Sequence, residues 1–384
     1  NPQANALNFR GADGQTVNYS TQSLPDPAVL WSPRVGFNWS PFEGQRLQVR
    51  GGTGVFTGKP AYVWISNQIG NNGIRTGFTQ VDNTTAFPFF ADINRYKPTT
   101  VSGAPAPTYE LNFTEPDFRF PQIWRSNVGV DVKVPLGLVA NGEFIYSRDV
   151  NGMYYINANL PASSSAFTGV DNRARWTAGN RLFTNISGAY VLQNQSSGKS
   201  WNAAFSLEKP YSKGFYGKLG YSYGESKNLF DPGSIASGSW TGNQHYGDPN
   251  NPAMGFSQYS PGHRFFGTAS YYIDYFKFGA TSVSAFLESR TWGNTSYVFS
   301  GDINGDASTN NDLIYIPRDA SEMNFQPYTA SGTTFTAAQQ QAAFEQFISA
   351  DSYLSKRRGQ YAERNAAFLP MVTRVDLSVR QEVY

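Results

Sequence analysis

Three features of the sequence predict an all-β chain whose antiparallel strands belong to a transmembrane β-barrel. The first is an alternation of apolar and polar residues, clearest over residues 201–226, which places alternate side chains on opposite faces of a strand. The second is composition: charged residues make up only 15% and aromatic residues 16%, whereas soluble domains carry about 25% charge. The third is that short turns alternate with connections of about 30 to 80 residues, a pattern typical of barrels with short periplasmic turns and long extracellular loops.

The alternating segments group into hairpins along the chain. We predict four hairpins and one final strand: 34–39 with 47–55, 124–134 with 138–146, 201–208 with 215–224, 263–274 with 277–289, and 372–383. In the third hairpin the turn is predicted at 209–214. Phe215, Leu219 and Tyr221 are expected to face lipid, and Lys218 and Ser222 the lumen.

The long connections lack a sustained period. They cover about 57–121, 149–185, 227–261 and 290–370, and all of them fall at one end of the strands. Two segments inside them are helix-like, 62–70 before the stop at Asn71, Asn72 and Gly73, and 336–347. Residues 186–193 are expected to extend the next strand outward, with a bend at 194–198.

We count nine spanning strands, and the first and the last run toward the short-turn side. A backbone in lipid must satisfy its hydrogen bonds within the protein, so a membrane sheet has to close. An odd number of strands is therefore expected to be part of a larger barrel. Residues 1–384 are interpreted as one partial barrel domain, without a plug domain or the last strands. Its interfacial aromatic residues are predicted to be Trp39, Trp124, Trp201 and Tyr223.

Composition argues against several other classes of function. There is no cysteine, which excludes disulfides and thiolate chemistry. A net charge of +2 argues against a nucleic-acid partner, which would need a basic stripe. His245 and His263 build no nucleophile–base set and no metal spacing, and a structural role is expected for His263 at the entrance of a strand. Glu115 and Asp117 form a carboxylate pair in loop sequence, so we do not expect an enzyme.

Five blocks of the sequence resemble TonB-dependent outer-membrane receptors. They are SPRVGFNW (32–39), RGGTGVFTGKPAYVWISNQIGNNG (50–73), SPGHRFFGTASY (260–271), SGDINGDASTNNDLIYIP (300–317) and YLSKRRGQYAERNAA (353–367). In combination they are most similar to the SusC and Oar-like branch, whose members often carry a carboxypeptidase-regulatory-like N-terminal domain.

The resemblance implies a barrel of about 22 strands filled by an N-terminal plug. It also implies coupling to the TonB–ExbB–ExbD machine and a location in the outer membrane of a Gram-negative bacterium. This chain would correspond to roughly strands 12 to 20, a parity that agrees with the direction of its first and last strands. The implied partners are outer-membrane lipid, TonB–ExbB–ExbD through the plug and a surface lipoprotein lid. The chain contains no plug, no TonB box and no closing pair of strands, so energy coupling is implied by the family alone.

One segment resembles a calcium-binding loop, because hard cations favour clustered oxygen ligands. The candidate ligands are Asp302, Asn304, Asp306, Asn310 and Asp312. Ala307 stands where such loops carry glycine, and Leu313 stands where they carry a bidentate glutamate. The alternative is a tight turn rich in Asp and Asn side chains.

Two further groups are candidate binding residues. Aromatic rings and amides in the first long connection suit stacking on a sugar or peptide and hydrogen-bonding to it: Tyr62, Trp64, Asn67, Gln68, Asn71 and Asn72. Their alternative role is to pack the loop onto its neighbours. A charged cluster in the last connection could bind an acidic ligand or form internal pairs: Lys356, Arg357, Arg358, Glu363 and Arg364.

The sequence therefore predicts an outer-membrane receptor that takes up a large or scarce ligand of the glycan, peptide or siderophore class. A passive porin or protein-translocation pore of the same barrel type is the first alternative. A secreted carbohydrate-binding β-protein is the second, and it requires the apolar faces of the hairpins to pack against each other.

Overall fold

The computed structural model describes residues 1–75, 85–97, 108–177, 179–275 and 279–383. Within these ranges nine strands follow one another in a single antiparallel sheet, each paired with its neighbour in the chain. They are β1 (Arg34–Trp39), β2 (Leu47–Thr57), β3 (Gln122–Val134), β4 (Leu138–Asn157), β5 (Lys199–Ser212), β6 (Phe215–Asn228), β7 (Gly262–Tyr275), β8 (Gly279–Thr291) and β9 (Met371–Val383). The nine predicted strands are confirmed.

The turns at one end of the sheet are short. β1 and β2 are joined through the 3-10 turn Glu43–Gln45, and β3 and β4 through Pro135–Gly137. The turn between β5 and β6 is tighter than predicted, because β5 continues to Ser212 and only two residues follow it. Lys213 and Gly214 have φ angles of 52° and 82°, which match the right-handed twist of the flanking strands. The turn predicted between 274 and 277 lies partly outside the described residues.

Two further strands extend the sheet at the other end. β4 has 20 residues, and its outer part pairs with Ile186–Gln195, so the predicted outward extension of β5 is confirmed. The strand Tyr109–Thr114 then adds in parallel to Ile186–Gln195. The sequence did not predict it, because most of its side chains are buried and it lacks the alternation of a half-buried strand.

The helices lie in the connections or near the start of the chain. They are Pro2–Asn5, Val63–Gly70, Ala236–Thr241 and Ala337–Ala350. Thr336 forms a capping box with Gln339, which starts the last helix where the sequence predicts it. The predicted helix at 62–70 is also confirmed. Among the described residues, no helix is long and apolar enough to cross a membrane.

The two buried apolar clusters of the described residues lie in the connections and at the outer end of β4. One core joins the outer end of β4 with Tyr109–Thr114, Ile186–Gln195 and the helix Ala236–Thr241. A second core, around Ile316, Ile348 and Leu354, lies within the last connection. Small strand pairs support both: Phe9–Arg10 with Thr16–Val17, Ser165–Ala166 with Ala174–Arg175, Asn294–Thr295 with Ala367–Phe368, Tyr315–Ile316 with Gln360–Tyr361, and Tyr328–Ala330 with Thr333–Phe335. Gly255–Phe256 pairs with the end of β6.

Candidate functional site: a polar wall beneath packed connections

One face of the sheet, here called the apolar face, is open and hydrophobic. A single row of cross-strand neighbours crosses eight strands as Leu47, Val132, Ala140, Leu207, Leu219, Gly267, Leu287 and Val375. On β9, Leu377 and Val379 are 77% and 72% exposed. A water-soluble β-protein would bury such a face against a second layer. The alternative of a secreted carbohydrate-binding β-protein is therefore wrong.

The opposite face, here called the polar face, carries charged pairs between and along its strands. These pairs are Arg50 with Asp131, Lys218 with Glu208 (3.1 Å), Arg264 with Glu288 (2.7 Å) and Arg374 with Asp376 (2.9 Å). Because successive residues of a strand alternate between faces, Lys218 and Ser222 lie here while Leu219 and Tyr221 lie on the apolar face. This face is therefore the more hydrophilic of the two.

Aromatic side chains form a band on the apolar face near the long connections. The Trp201 ring lies 5.4 Å from Tyr223 and 6.2 Å from Phe144, and the Trp124 ring lies 6.3 Å from Tyr146. Three of the predicted interfacial aromatics therefore lie together, whereas Trp39 ends β1 at the short-turn side. Such girdles are typical of the membrane–water interface.

Above the wall, three connections meet at buried charged side chains. Arg173, in the connection from β4 to β5, lies 2.9 Å from Asp171 and 3.4 Å from Asp312 of the last connection. His245, in the connection from β6 to β7, lies 3.1 Å from Asp306. Arg173, His245, Asp306 and Asp312 are all buried, and here they are called the charge cluster. Burial raises the pKa of Asp312, while the Ile303 N–H, His245 and Arg173 oppose the rise.

A second buried cation joins the last connection to the end of β6. The Arg364 guanidinium donates to the carbonyl oxygens of Asn228 (2.7 Å) and Leu229 (2.8 Å) and to the side chain of Asn243. Burial lowers the pKa of Arg364, and Asp231 opposes this. Together, the charge cluster and Arg364 bind the connections into one assembly.

Most of the predicted ligand-binding residues hold the first connection in place. The Trp64 indole donates to the Gly233 carbonyl and the Asn67 amide to that of Ser234, both at 2.9 Å. The buried Gln68 donates to the Ser23 carbonyl at 2.5 Å. These contacts match the alternative role, the packing of the loop onto its neighbours.

The other three predicted residues differ in exposure. The Asn71 side chain donates to Glu110 at 3.0 Å, and the Asn72 side chain accepts the backbone N–H groups of Ile74 and Arg75. Tyr62 is exposed, and its ring lies 6.5 Å from that of Phe120. Of the two aromatic residues among the six, Tyr62 has the ring that is more available to a ligand. Ligand binding by the six residues stays a prediction.

In the predicted calcium loop the carboxylates are engaged with protein donors. Asp302 accepts the N–H groups of Gly305 (2.7 Å) and Ala307 (3.0 Å), and Asp306 accepts that of Ser308. Asp312 accepts the Ile303 N–H at 3.1 Å. No group of three or more His, Asp or Glu in the described ranges could hold a metal ion.

The observed hydrogen bonds match the alternative, a turn rich in Asp and Asn side chains. Asn304 and Asn310 take part in the same way, because they accept the N–H groups of Asp306 and Gly301. The residues as arranged do not form a calcium cage. Calcium binding stays a prediction, and calorimetry on the purified complete protein tests it: heat of binding at millimolar Ca²⁺ would support it, and none would exclude it.

In the charged cluster predicted in the last connection, two of the four basic side chains form ion pairs. Arg357 lies 2.5 Å from Glu363, and Arg358 lies 2.5 Å from Glu345. Arg364 is buried as described, and Lys356 lines a cleft of about 680 Å³ beside Tyr297 and Tyr353. His263 has the structural surroundings that were expected, because its Nδ1 lies 2.7 Å from the Tyr221 hydroxyl. His245 belongs to the charge cluster.

Sequence reasoning missed Arg173 and Trp176. Trp176 is buried, and its backbone N–H donates to the Asn304 carbonyl at 2.7 Å. It therefore holds the connection from β4 to β5 against the last connection. Both residues lie in a stretch where apolar and polar residues do not alternate regularly. The one available signal there is a large or charged side chain between small polar neighbours. Their roles depend on contacts more than 100 positions away in the chain.

These features define the class of protein: a β-protein whose main sheet is a single antiparallel layer with one apolar and one polar face. The chain belongs to the outer membrane beta barrel domain family, whose profile matches residues 1–384. Its place is therefore the bacterial outer membrane, and the apolar face contacts membrane lipid. A comparison with curated proteins finds no match.

Among solved structures, the chain is similar to the outer membrane transporter YddB from Escherichia coli. The sequences are 11% identical, the TM-score is 0.33, and the alignment covers 68% of this chain and 34% of that one. This chain thus spans about a third of the length of that transporter.

Proposed function

We propose that the chain forms part of a TonB-dependent outer-membrane transporter of the SusC or Oar-like branch. It would take up a large or scarce ligand of the glycan, peptide or siderophore class, without a chemical reaction. The observation that supports this is the polar face, which runs the length of the wall beneath connections that pack into buried cores. A rigid assembly of loops can present a defined binding surface, and the polar face can form one side of the path below it.

The proposed partners follow from the same function. TonB–ExbB–ExbD would supply energy through a plug, and a surface lipoprotein would cover the outer opening. Among the described residues β1 and β9 each pair with one strand. In a membrane their other edges require further strands, because lipid cannot satisfy the backbone groups there.

The test is uptake by whole cells that produce the complete protein. Maltoheptaose, a labelled decapeptide and ferrichrome serve as probes of the three ligand classes. Energy-coupled transport predicts that uptake of one probe stops when a protonophore is added or TonB is inactivated.

The polar face would equally suit a passive porin or protein-translocation pore. That alternative predicts uptake that neither treatment changes, and such a result would contradict the proposal. Cells that lack the protein give the baseline for both.

A further inference from the structure

The end of the polar face nearest the long connections carries two arginines that have no counter-charge among the described residues. Arg34 begins β1 and Arg125 lies on β3, and both are opposite Gly54 of β2 in the cross-strand register. Adjacent strands lie about 4.8 Å apart, so the two Cα atoms are roughly 10 Å apart. Side chains of this length can therefore reach the same ligand.

Local contacts hold Arg34 over Gly54. A Cβ atom on Gly54 would lie 2.7 Å from Arg34 Cγ, so the absence of a side chain leaves the space that Arg34 occupies. The guanidinium carbon of Arg34 lies 4.4 Å from the centre of the Phe56 ring. Stacking of this kind holds the planar guanidinium and leaves its N–H edge available to an acceptor.

Arg125 is also held with free donors. Its Nε donates to Ser147 Oγ at 3.0 Å, and no carboxylate in the described ranges pairs with it or with Arg34. Ser147 and Ser200 continue the same row on β4 and β5, so hydroxyl groups lie beside the two cations. Elsewhere on the same face, Arg50 pairs with Asp131 and Arg264 pairs with Glu288 at 2.7 Å.

We propose that Arg34 and Arg125, with the hydroxyl of Ser147, bind carboxylate or phosphate groups of the transported ligand. Guanidinium groups bind these oxyanions in a bidentate manner, and no carboxylate of the described residues pairs with either arginine. The site lies just below hydrogen bonds from Gln122 to Trp31 and Thr57, which mark the transition from wall to connections. A ligand that leaves the connections would meet it early. The inference rests on the proposed transport function and narrows the ligand to an anionic one.

The test is calorimetric titration of the complete, detergent-solubilised protein with sodium tripolyphosphate at low salt. Arg34→Gln with Arg125→Gln should weaken binding about tenfold or more, because both guanidinium groups that bind the oxyanion are removed. Arg264→Gln with Arg374→Gln removes the same net charge from the same face but takes away paired arginines. This control should change the affinity less than about threefold, the change that roughly 0.6 kcal/mol produces.

A second measurement separates the site from general charge. Arg125→Lys keeps the charge and loses the planar fork, so it should weaken tripolyphosphate binding while spermidine binding stays unchanged. The proposal is overturned if the complete protein does not bind tripolyphosphate, or if both double variants lose affinity equally. Because the titration needs no energy source, it remains informative even if TonB-dependent uptake is not found.

Discussion

At the scale of single residues, burial decides between roles that composition leaves open. Glu115 shows this most clearly. It follows the unpredicted strand Tyr109–Thr114, and the Gln193 amide donates to it at 2.8 Å. Burial raises the pKa of Glu115 to about 7, and the nearby carboxylates of Asp117 and Asp13 raise it as well, while Gln193 opposes the rise. Glu115 of the carboxylate pair is thus held in place by the strand Ile186–Gln195.

Glu115→Gln should remove a pH dependence of local stability. The pKa of Glu115 in the folded state is above its usual value of 4.5, so protonated Glu115 stabilises the folded state. This contribution to the free energy of unfolding is complete below pH 4.5. It is lost as the pH rises to about 7, an effect of about 1 kcal/mol after screening by solvent is allowed for. Hydrogen exchange of residues 115–121 at pH 5 and pH 8 measures it. Glu43→Gln, in a short turn, is the control, and an unchanged profile in Glu115→Gln would contradict the prediction.

Arg173→Met should loosen the connections strongly. The substitution leaves Asp312 buried without its cationic partner, and breaking such a pair costs about 3–5 kcal/mol. The matched control is Arg318→Gln, because Arg318 pairs with Glu322 on the surface and its loss should change the cleavage little. Limited proteolysis of the complete protein in detergent reports the difference. Equal cleavage of the two variants would show that the charge cluster does not hold the connections.

At the scale of elements, the alternation of apolar and polar residues was sufficient to predict a strand and its two faces wherever one face meets lipid. In the hairpin of β5 and β6, Leu219 lies on the apolar face and Lys218 on the polar face, as predicted. The structure adds the register, which places Leu207 opposite Leu219 and Glu208 opposite Lys218. Alternation failed for Tyr109–Thr114, which is buried almost throughout. It also placed the end of β4 too early, because the outer part of that strand leaves the wall and enters the core of the connections.

The two faces of β6 should respond differently to charge. Leu219→Arg should lower the free energy of unfolding by about 2–4 kcal/mol if the position is near the bilayer centre. Ser222→Arg, on the polar face three positions further along, should change it by less than about 1 kcal/mol, because water remains available to the new charge. Urea unfolding of the complete protein in lipid vesicles measures both. Similar losses in the two variants would mean that the faces are assigned wrongly.

At the scale of the whole molecule, the wall and the connections have different sources of stability. The wall is held by strand pairing and by lipid against its apolar face, whereas the connections have buried cores of their own. The wall therefore depends on lipid against its apolar face, whereas the connections fold in water. The complete protein is therefore expected to need detergent for extraction.

The unheated protein should also migrate differently on a gel from the heated one. A closed barrel has no free edges, so it resists the detergent of the gel until heating unfolds it. Electrophoresis of matched samples with and without boiling tests this. Identical migration, or extraction into buffer without detergent, would argue against a closed membrane barrel.

The sequence by itself determined the membrane wall: the number of strands, their order and pairing, the faces and the side on which the connections lie. It could do so because lipid and water impose a period of two that each strand shows locally, as residues 215–224 do. The tertiary structure alone decided the connections, where Arg173, Trp176 and Arg364 have partners far away in the chain. It also decided that Gln68 and Asn67 support a loop, and that Arg34 and Arg125 lie together across Gly54. Such contacts depend on which segments fold against each other, and no local pattern of residues carries that information.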